Sequence, residues 1–317
     1  MIKAEQIGWL DRPATIQVSR IGGSNFVFPW NFLYEYYLES DVDPGEYKIC
    51  PILSEWDGMS PLTRAGTSGC PYESEHNPKN KNTICPYGFW GFKHNIEQPP
   101  STKEWHPHIQ KQKHALEMAI GINSRLNKIL TEQHVKNLKK TMPEFLVKQY
   151  TEPKELREAL ADCLDIVYFY CHGKHETPEK LDTYLEIGDG KKITAYDIPG
   201  WQLTEWPDNH WEERSPLVFI NGCHTVDVTP ESWANFVDSF AGVDAAGVIG
   251  TEITISQQIA SEAAEEFFRY FKDNKPVFEA MQKMRWHLLS KGNLLGLAYT
   301  GYCFANLSLF KSVHSNK

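Results

Sequence analysis

Several things are missing from this 317-residue sequence, and each absence removes a class of function. No run of about 18 apolar residues occurs, so no membrane-spanning helix is expected. The opening stretch Met1-Ile2-Lys3-Ala4-Glu5 has neither an apolar core nor a cleavage site, so no export is expected and the cytoplasm is the expected compartment. Lys and Arg nowhere form a run, and 32 of them face 41 Asp and Glu for a net charge of −9. That balance argues against direct nucleic-acid binding, which needs cations to neutralise phosphates. No Gly-x-Gly-x-x-Gly or Walker loop is present: Gly188-Asp189-Gly190-Lys191-Lys192 lacks the spacing and the following helix, which disfavours nucleotide hydrolysis. No repeat of 20–50 residues is visible, which excludes a solenoid. Cysteine is sparse and odd in number, at positions 50, 70, 85, 163, 171, 223 and 303, with no Cys-x-x-Cys pair. A disulfide framework fits poorly and reduced thiols fit well.

What is present supports a large core. Hydrophobic residues make up 41% and aromatic residues 13%, including ten Trp, so disorder is not expected. The length suits one large α/β unit, or two related halves sharing one sheet. Early in the chain Thr15-Ile16-Gln17-Val18 reads as a strand. Phe32 to Leu38 reads as a short helix introduced by Pro29, and residues 54–84, dense in Gly, Pro, Asn and Ser, read as a long surface excursion. Over 107–141 the residues Ala115, Met118, Ala119, Ile122, Leu126 and Ile129 fall at helical spacing. Phe145 to Tyr150 reads as a strand and Pro153 to Ala161 as a helix.

From residue 165 the pattern sharpens. Ile166-Val167-Tyr168-Phe169-Tyr170, Leu217-Val218-Phe219-Ile220 and Ala246-Gly247-Val248-Ile249 are continuous apolar runs of strand length. Continuous runs suit strands covered on both faces, as in a parallel sheet flanked by helices. Helices are expected from Thr229-Pro230-Glu231, from about Ser256 and from Pro276 to Ser290. Residues 184–193 carry an Asp-Gly turn between apolar stretches and read as a hairpin. The fold class is therefore α/β, with a central, mostly parallel sheet between helical layers.

In such sheets ligands meet the carboxyl ends of the strands. Two of the apolar runs end in reactive side chains there: Cys171-His172-Gly173 after the first, Asn221-Gly222-Cys223-His224 after the second. If the strands are neighbours, at about 4.8 Å, His172 and Cys223 come within reach of one substrate. An imidazole can supply the thiolate character that a cysteine nucleophile needs. Gly173 leaves its N–H unobstructed, and with the N–H of Cys223 it would form an oxyanion hole. Gly222 permits a sharp turn before the nucleophile.

At this point the sequence resembles a known family. Tyr170-Cys171-His172-Gly173 with Ile220-Asn221-Gly222-Cys223-His224 resembles the catalytic pair of CHAT domains, which are caspase-like peptidases. The His lies 51 residues before the Cys, matching the roughly 50 found in caspases, although the local caspase Cys motif is absent. Phe28-Pro29-Trp30-Asn31-Phe32-Leu33 is similar to a Pro-Trp-Glu-x-Leu element, with Asn31 where an acid is commoner. Cys85 to His94 is similar to a Cys-Pro-x-Gly-Phe-Trp-Gly element, and the hairpin 185–194 and the step Gly250-Thr251-Glu252 also match.

The resemblance implies a caspase/separase-type three-layer sandwich. In it, 1–150 would be a degenerate, pseudo-caspase half with its excursion at 54–84, and 151–317 the catalytic half. It implies a His172/Cys223 dyad that cleaves a partner protein with no cofactor and no catalytic metal. It also implies a role in prokaryotic antiviral defence or programmed cell death, sometimes CRISPR-associated, after activation by a sensor protein or fused regulatory domain. The alternative is a catalytically silent CHAT-like interaction module.

Weaker signals remain. Glu252 and Asp189 would favour a basic residue before the scissile bond if they line the cleft, and are otherwise solvated acids. Trp201, Trp206 and Trp211 either wall the cleft or cover the sheet. Cys50, Cys70 and Cys85, each followed by Pro, lie in one window with His76 and His94, but spacings of 20 and 15 lack the short zinc knuckle. Loop and core cysteines are the expectation there. Glu265-Glu266 and Glu212-Glu213 read as solvated faces, and His172, His175 and Glu176 do not form the helical His-Glu-x-x-His arrangement.

Overall fold

A computed structural model describes residues 13–19, 28–59, 70–72, 82–99, 108–110, 114–162, 164–177, 180–208, 210–211, 214–223 and 230–310. At 173–177, 180–183, 223 and 230–235 it describes the backbone alone. His76, Glu212, Glu213, His224 and Thr229 lie outside the described residues.

The elements run β1 (Thr15–Gln17), β2 (Lys48–Ile49), α1 (Ile52–Glu55), β3 (Thr83–Ile84), α2 (Trp90–Lys93), β4 (Asn95–Glu97), β5 (His108–Gln110), β6 (Leu116–Ile122), α3 (Lys128–Thr141) and β7 (Phe145–Tyr150). They continue α4 (Pro153–Leu160), β8 (Ile166–Thr177), β9 (Lys180–Ile187), β10 (Lys191–Thr194), α5 (Asp197–Thr204), β11 (Leu217–Cys223), α6 (Pro230–Gly242), β12 (Gly247–Thr251), α7 (Gln257–Phe271), α8 (Val277–Ser290), β13 (Tyr299–Tyr302) and β14 (Ser308–Phe310).

Eight strands form the central sheet. Across its base the order is β7-β6-β8-β11-β12-β13, parallel except for β13. Strand β8 outruns β6, and beyond Tyr170 its freed edge pairs with β9, the first arm of an antiparallel β9–β10 hairpin. Gly188 and Gly190 turn this hairpin with φ of 60° and 78°. A Cβ at Gly188 would sit 2.0 Å from the Thr151 carbonyl oxygen, so both the conformation and the space require glycine.

The apolar runs are continuous because each strand is covered twice. Ile166, Tyr168 and Tyr170 of β8 and Leu217 and Phe219 of β11 pack under α3, α7 and α8. Val167, Phe169 and Cys171, with Val218 and Ile220, pack under α4, α5 and α6. Helix α7 shows how this layer is specified: Ser256 caps it by accepting from the Ile259 N–H, and Ala260, Ala263, Ala264, Phe267, Phe268 and Phe271 form its buried stripe. The N-terminal residues form a third, smaller core around Cys50, Ile52, Cys70, Cys85, Tyr87 and Phe92 against Trp286 and Leu289 of α8.

Three expectations are corrected. The helical spacing at 115–129 belongs to strand β6 followed by the start of α3, and helix begins only after Asn127, whose side chain caps it. A strand buried on both faces is apolar at almost every position, so helical spacing occurs in it by coincidence. Residues 32–38 are not a helix: one 3₁₀ turn (Trp30–Phe32) gives way to extended chain. The Tyr34 ring lies against Gly88, where a Cβ would approach to 2.3 Å, and the Tyr34 hydroxyl accepts from the Cys85 N–H at 2.9 Å. Tertiary contacts there outweigh local preference. Nor is 54–84 wholly a surface excursion, since Cys70 is buried.

Candidate active site at the carboxyl ends of the central strands

The pairing of β8 with β11 ends on His172 and Cys223, which are register partners. Parallel strands lie about 4.8 Å apart, so the backbone brings these two residues side by side. His172 shares the parity of Tyr168, which places it on the α3/α7/α8 side of the sheet. On the other edge of β8, the antiparallel register partner of His172 is Glu186 of β9. Glu186, His172 and Cys223 are thus consecutive positions across three strands. Gly173 follows one residue past the last β11 pairing and is paired to Leu185.

Glu186 was not singled out by sequence reasoning. It is buried, and its carboxylate accepts from Asn123 Nδ2 at 3.1 Å and Arg125 Nη1 at 3.0 Å. The signal was available: β9 alternates, with Leu185 and Ile187 in the core beneath α4 and α6, so an acid between them must face the opposite side.

A second feature that the sequence did not disclose is a buried polar chain beneath the strand end. Asn221, two residues before Cys223, donates through Nδ2 to Tyr168 Oη (2.9 Å) and the Ala260 carbonyl (2.7 Å), and Tyr299 donates to its Oδ1 (2.8 Å). Tyr168 in turn meets His134 Nε2 at 2.9 Å, and His134 Nδ1 meets Glu265 at 2.7 Å. Six residues from β8, β11, α3, α7 and β13 are linked, fixing the end of β11 against its neighbours. Glu265 is therefore a partner of a buried histidine rather than a solvated acid, and Glu266 is itself buried.

The other candidate residues have contacts of their own. Asp189 is exposed at the hairpin turn, 3.0 Å from Arg125 Nε. Trp206 and Trp211 are buried, their indoles donating to the Arg157 and Leu160 carbonyls of α4, so they cover the sheet. Trp201 is half-buried and packs on Trp206. Among the described residues, no helix is long and apolar enough to cross a membrane.

Glu252, just past β12, is not a solvated acid. Tyr302 donates to its Oε1 at 3.2 Å, and burial raises its carboxyl from 4.5 to about 7, with Thr300, Tyr302 and Arg285 pulling it down. The folded chain therefore holds this proton to about pH 7, whereas the unfolded chain releases it near 4.5. The stability contributed by the protonated form is complete below the lower value and is lost as pH rises through the higher one. Glu252→Gln is expected to flatten this slope and to stabilise the chain at pH 8 by on the order of 2 kcal/mol. Urea unfolding of both proteins from pH 5 to 8 measures it, and parallel pH profiles would refute the assignment.

The profile of the CHAT domain matches residues 107–295, which span the sheet from just before β5 to the 3₁₀ turn ahead of β13. The chain belongs to the CHAT domain family. A "probable protease" of Vitiosangium sp. (strain GDMCC 1.1324) is 27% identical over 320 residues, covering 94% of this CHAT chain and 39% of that protein. The chain thus spans well under half the length of this relative. Among solved structures, the Drosophila initiator caspase Dronc is 12% identical with a TM-score of 0.36, covering 68% of this chain and all but 1% of that one. The Arg-specific cysteine proteinase gingipain R is 10% identical with a TM-score of 0.44, covering 68% of this chain and 55% of that one.

Proposed function

We propose that the chain is a cysteine endopeptidase in which Cys223 is the nucleophile and His172 the general base and acid. The observation that carries this reading is the register of β8 and β11, whose final pair is His172 and Cys223. In the first step His172 takes the thiol proton as the Cys223 sulfur attacks the peptide carbonyl carbon. The tetrahedral oxyanion is held by the N–H groups of Gly173 and Cys223. Collapse breaks the C–N bond, His172 returns the proton to the leaving amine, and a thioester remains. Water, deprotonated by His172, then hydrolyses the thioester and restores the thiol.

The register with Glu186 supports a positioning role for that carboxylate on the far side of His172, itself anchored by Asn123 and Arg125. Glu186→Gln is expected to lower kcat about tenfold and to leave KM and the melting temperature unchanged. A variant whose loss lies in KM or in stability alone would count against positioning.

The wider reading rests on family membership. The substrate is a partner protein, cleaved in prokaryotic antiviral defence or cell death after a sensor protein or a fused regulatory segment activates the enzyme, and residues 1–150 serve as a degenerate half beside a catalytic 151–317. Asp189, Glu252 and Trp201 remain in this proposal as substrate contacts. Asp189 is the one whose exposed carboxylate suits a basic side chain before the scissile bond. The decisive experiment treats the chain with an electrophilic thiol probe and maps the labelled residue. Labelling of Cys223, abolished in His172→Ala, is the expected result; labelling elsewhere with Cys223 unmodified would sink the dyad.

A further inference from the structure

Three cysteines of the N-terminal core converge. Cys50 follows β2, Cys70 lies between α1 and β3, and Cys85 follows β3, so the sequence separates them by 20 and 15 residues. In the fold their Sγ atoms all lie within 4.8 Å of one another, with Cys50 and Cys70 at 3.6 Å, and all three are buried. Tetrahedral zinc, with Zn–S bonds of about 2.3 Å, sets its sulfurs about 3.8 Å apart. The observed thiol separations suit that triangle and are far too long for a disulfide bond.

The backbone around the thiols repeats one device three times. Each cysteine is followed by proline, which has no N–H, and the next amide supplies a donor to the sulfur. The Tyr72 N–H reaches Cys70 Sγ at 3.4 Å, and the backbone N–H groups of Ile52 and Tyr87 hydrogen-bond Cys50 and Cys85. Donors aimed at sulfur stabilise thiolates rather than thiols. Three adjacent buried thiolates therefore need a cation among them. The surroundings also suit a staple: this layer consists of strands of two or three residues, single helical turns and a small core packed against α8.

We propose that Cys50, Cys70 and Cys85 form a structural zinc site, three thiolates and one further ligand holding a Zn²⁺ that ties the N-terminal layer together. Binding releases three thiol protons and forms three Zn–S bonds, with no change of oxidation state. The site is separate from the peptidase chemistry, which runs through His172 and Cys223.

The full chain, purified with reductant and without chelator, is expected to carry about one zinc per chain by elemental mass spectrometry. Cobalt(II) in place of zinc is expected to give thiolate-to-metal charge transfer in the near ultraviolet and strong tetrahedral bands in the visible. Cys50→Ser and Cys85→Ser are expected to lose metal about tenfold or more, whereas Cys303→Ser, a buried thiol in the sheet core, keeps it. If the serine variants fail to fold, the cobalt spectrum of the wild type still decides the matter. Wild-type protein that is metal-free and takes up no cobalt overturns the proposal, as does a chain two hydrogens lighter with Cys50 and Cys70 joined.

Discussion

Cys223→Ala is expected to reduce peptide hydrolysis by about 10⁴-fold or more, with His172→Ala losing a similar amount. In the proposed dyad the two act as a unit, because the histidine would have no thiol to deprotonate and the thiol would have no base. The double variant should therefore be little worse than either single one, in place of the squared loss that independent contributions would give. Residual turnover over the uncatalysed reaction would come from the oxyanion donors, which both substitutions leave intact. A mixed peptide library, followed by mass spectrometry of the cut ends, measures the loss whatever the natural substrate is. The same cut sites reveal the residue preferred before the scissile bond, and Asp189→Ala tests the basic preference. Turnover retained in either single variant, or losses that multiply in the double one, would exclude the dyad.

Arg285→Leu is expected to destabilise the chain by about 3–5 kcal/mol. Arg285 of α8 is buried and donates to the Gly91 carbonyl at 3.0 Å and the Tyr299 carbonyl at 2.8 Å. It thereby joins the N-terminal layer to the edge strand β13, and Asn31 makes a parallel clasp through Nδ2 to the Tyr299 carbonyl and Thr300 Oγ1. The space is closely filled: a Cβ at Gly296 would come within 2.9 Å of Arg285 Cα. Burial lowers the guanidinium only to about 10, so it stays charged at neutral pH and offsets Glu252. Removing it takes the side-chain donor from the Gly91 carbonyl, leaves the Tyr299 carbonyl to Asn31 alone, and leaves an acid without its cation. The destabilisation should accordingly be larger at pH 8, where Glu252 is ionised, than at pH 6. Against a typical total of about 5–15 kcal/mol, such a loss is readily seen as a fall in urea midpoint. A change under about 1 kcal/mol, or one independent of pH, would show that the clasp carries little.

Much of the chain from residue 151 onward was legible because its signals are local. Strands covered on both faces must be apolar throughout, and the β8, β11 and β12 runs announced themselves in that way. The helices α4, α7 and α8 open on Pro153, Ser256 and Pro276, residues whose geometry marks a helix start. The N-terminal region was harder to read. Its segments owe their shape to distant partners, as Tyr34 does to Gly88 and Cys85. No window of sequence contains such a contact.

The sequence by itself determined the α/β class and the two apolar runs that lead into His172 and Cys223, because burial and chain direction act along the backbone. Tertiary structure alone decided which strands are neighbours. Register made His172 and Cys223 a pair, added Glu186 on the other side, and set the Asn221–Tyr168–His134 chain beneath them. It also gathered Cys50, Cys70 and Cys85, whose long spacings conceal a contact of a few ångströms. Side chains meet through folding across long loops, and loop length carries almost no record of where the ends come to rest.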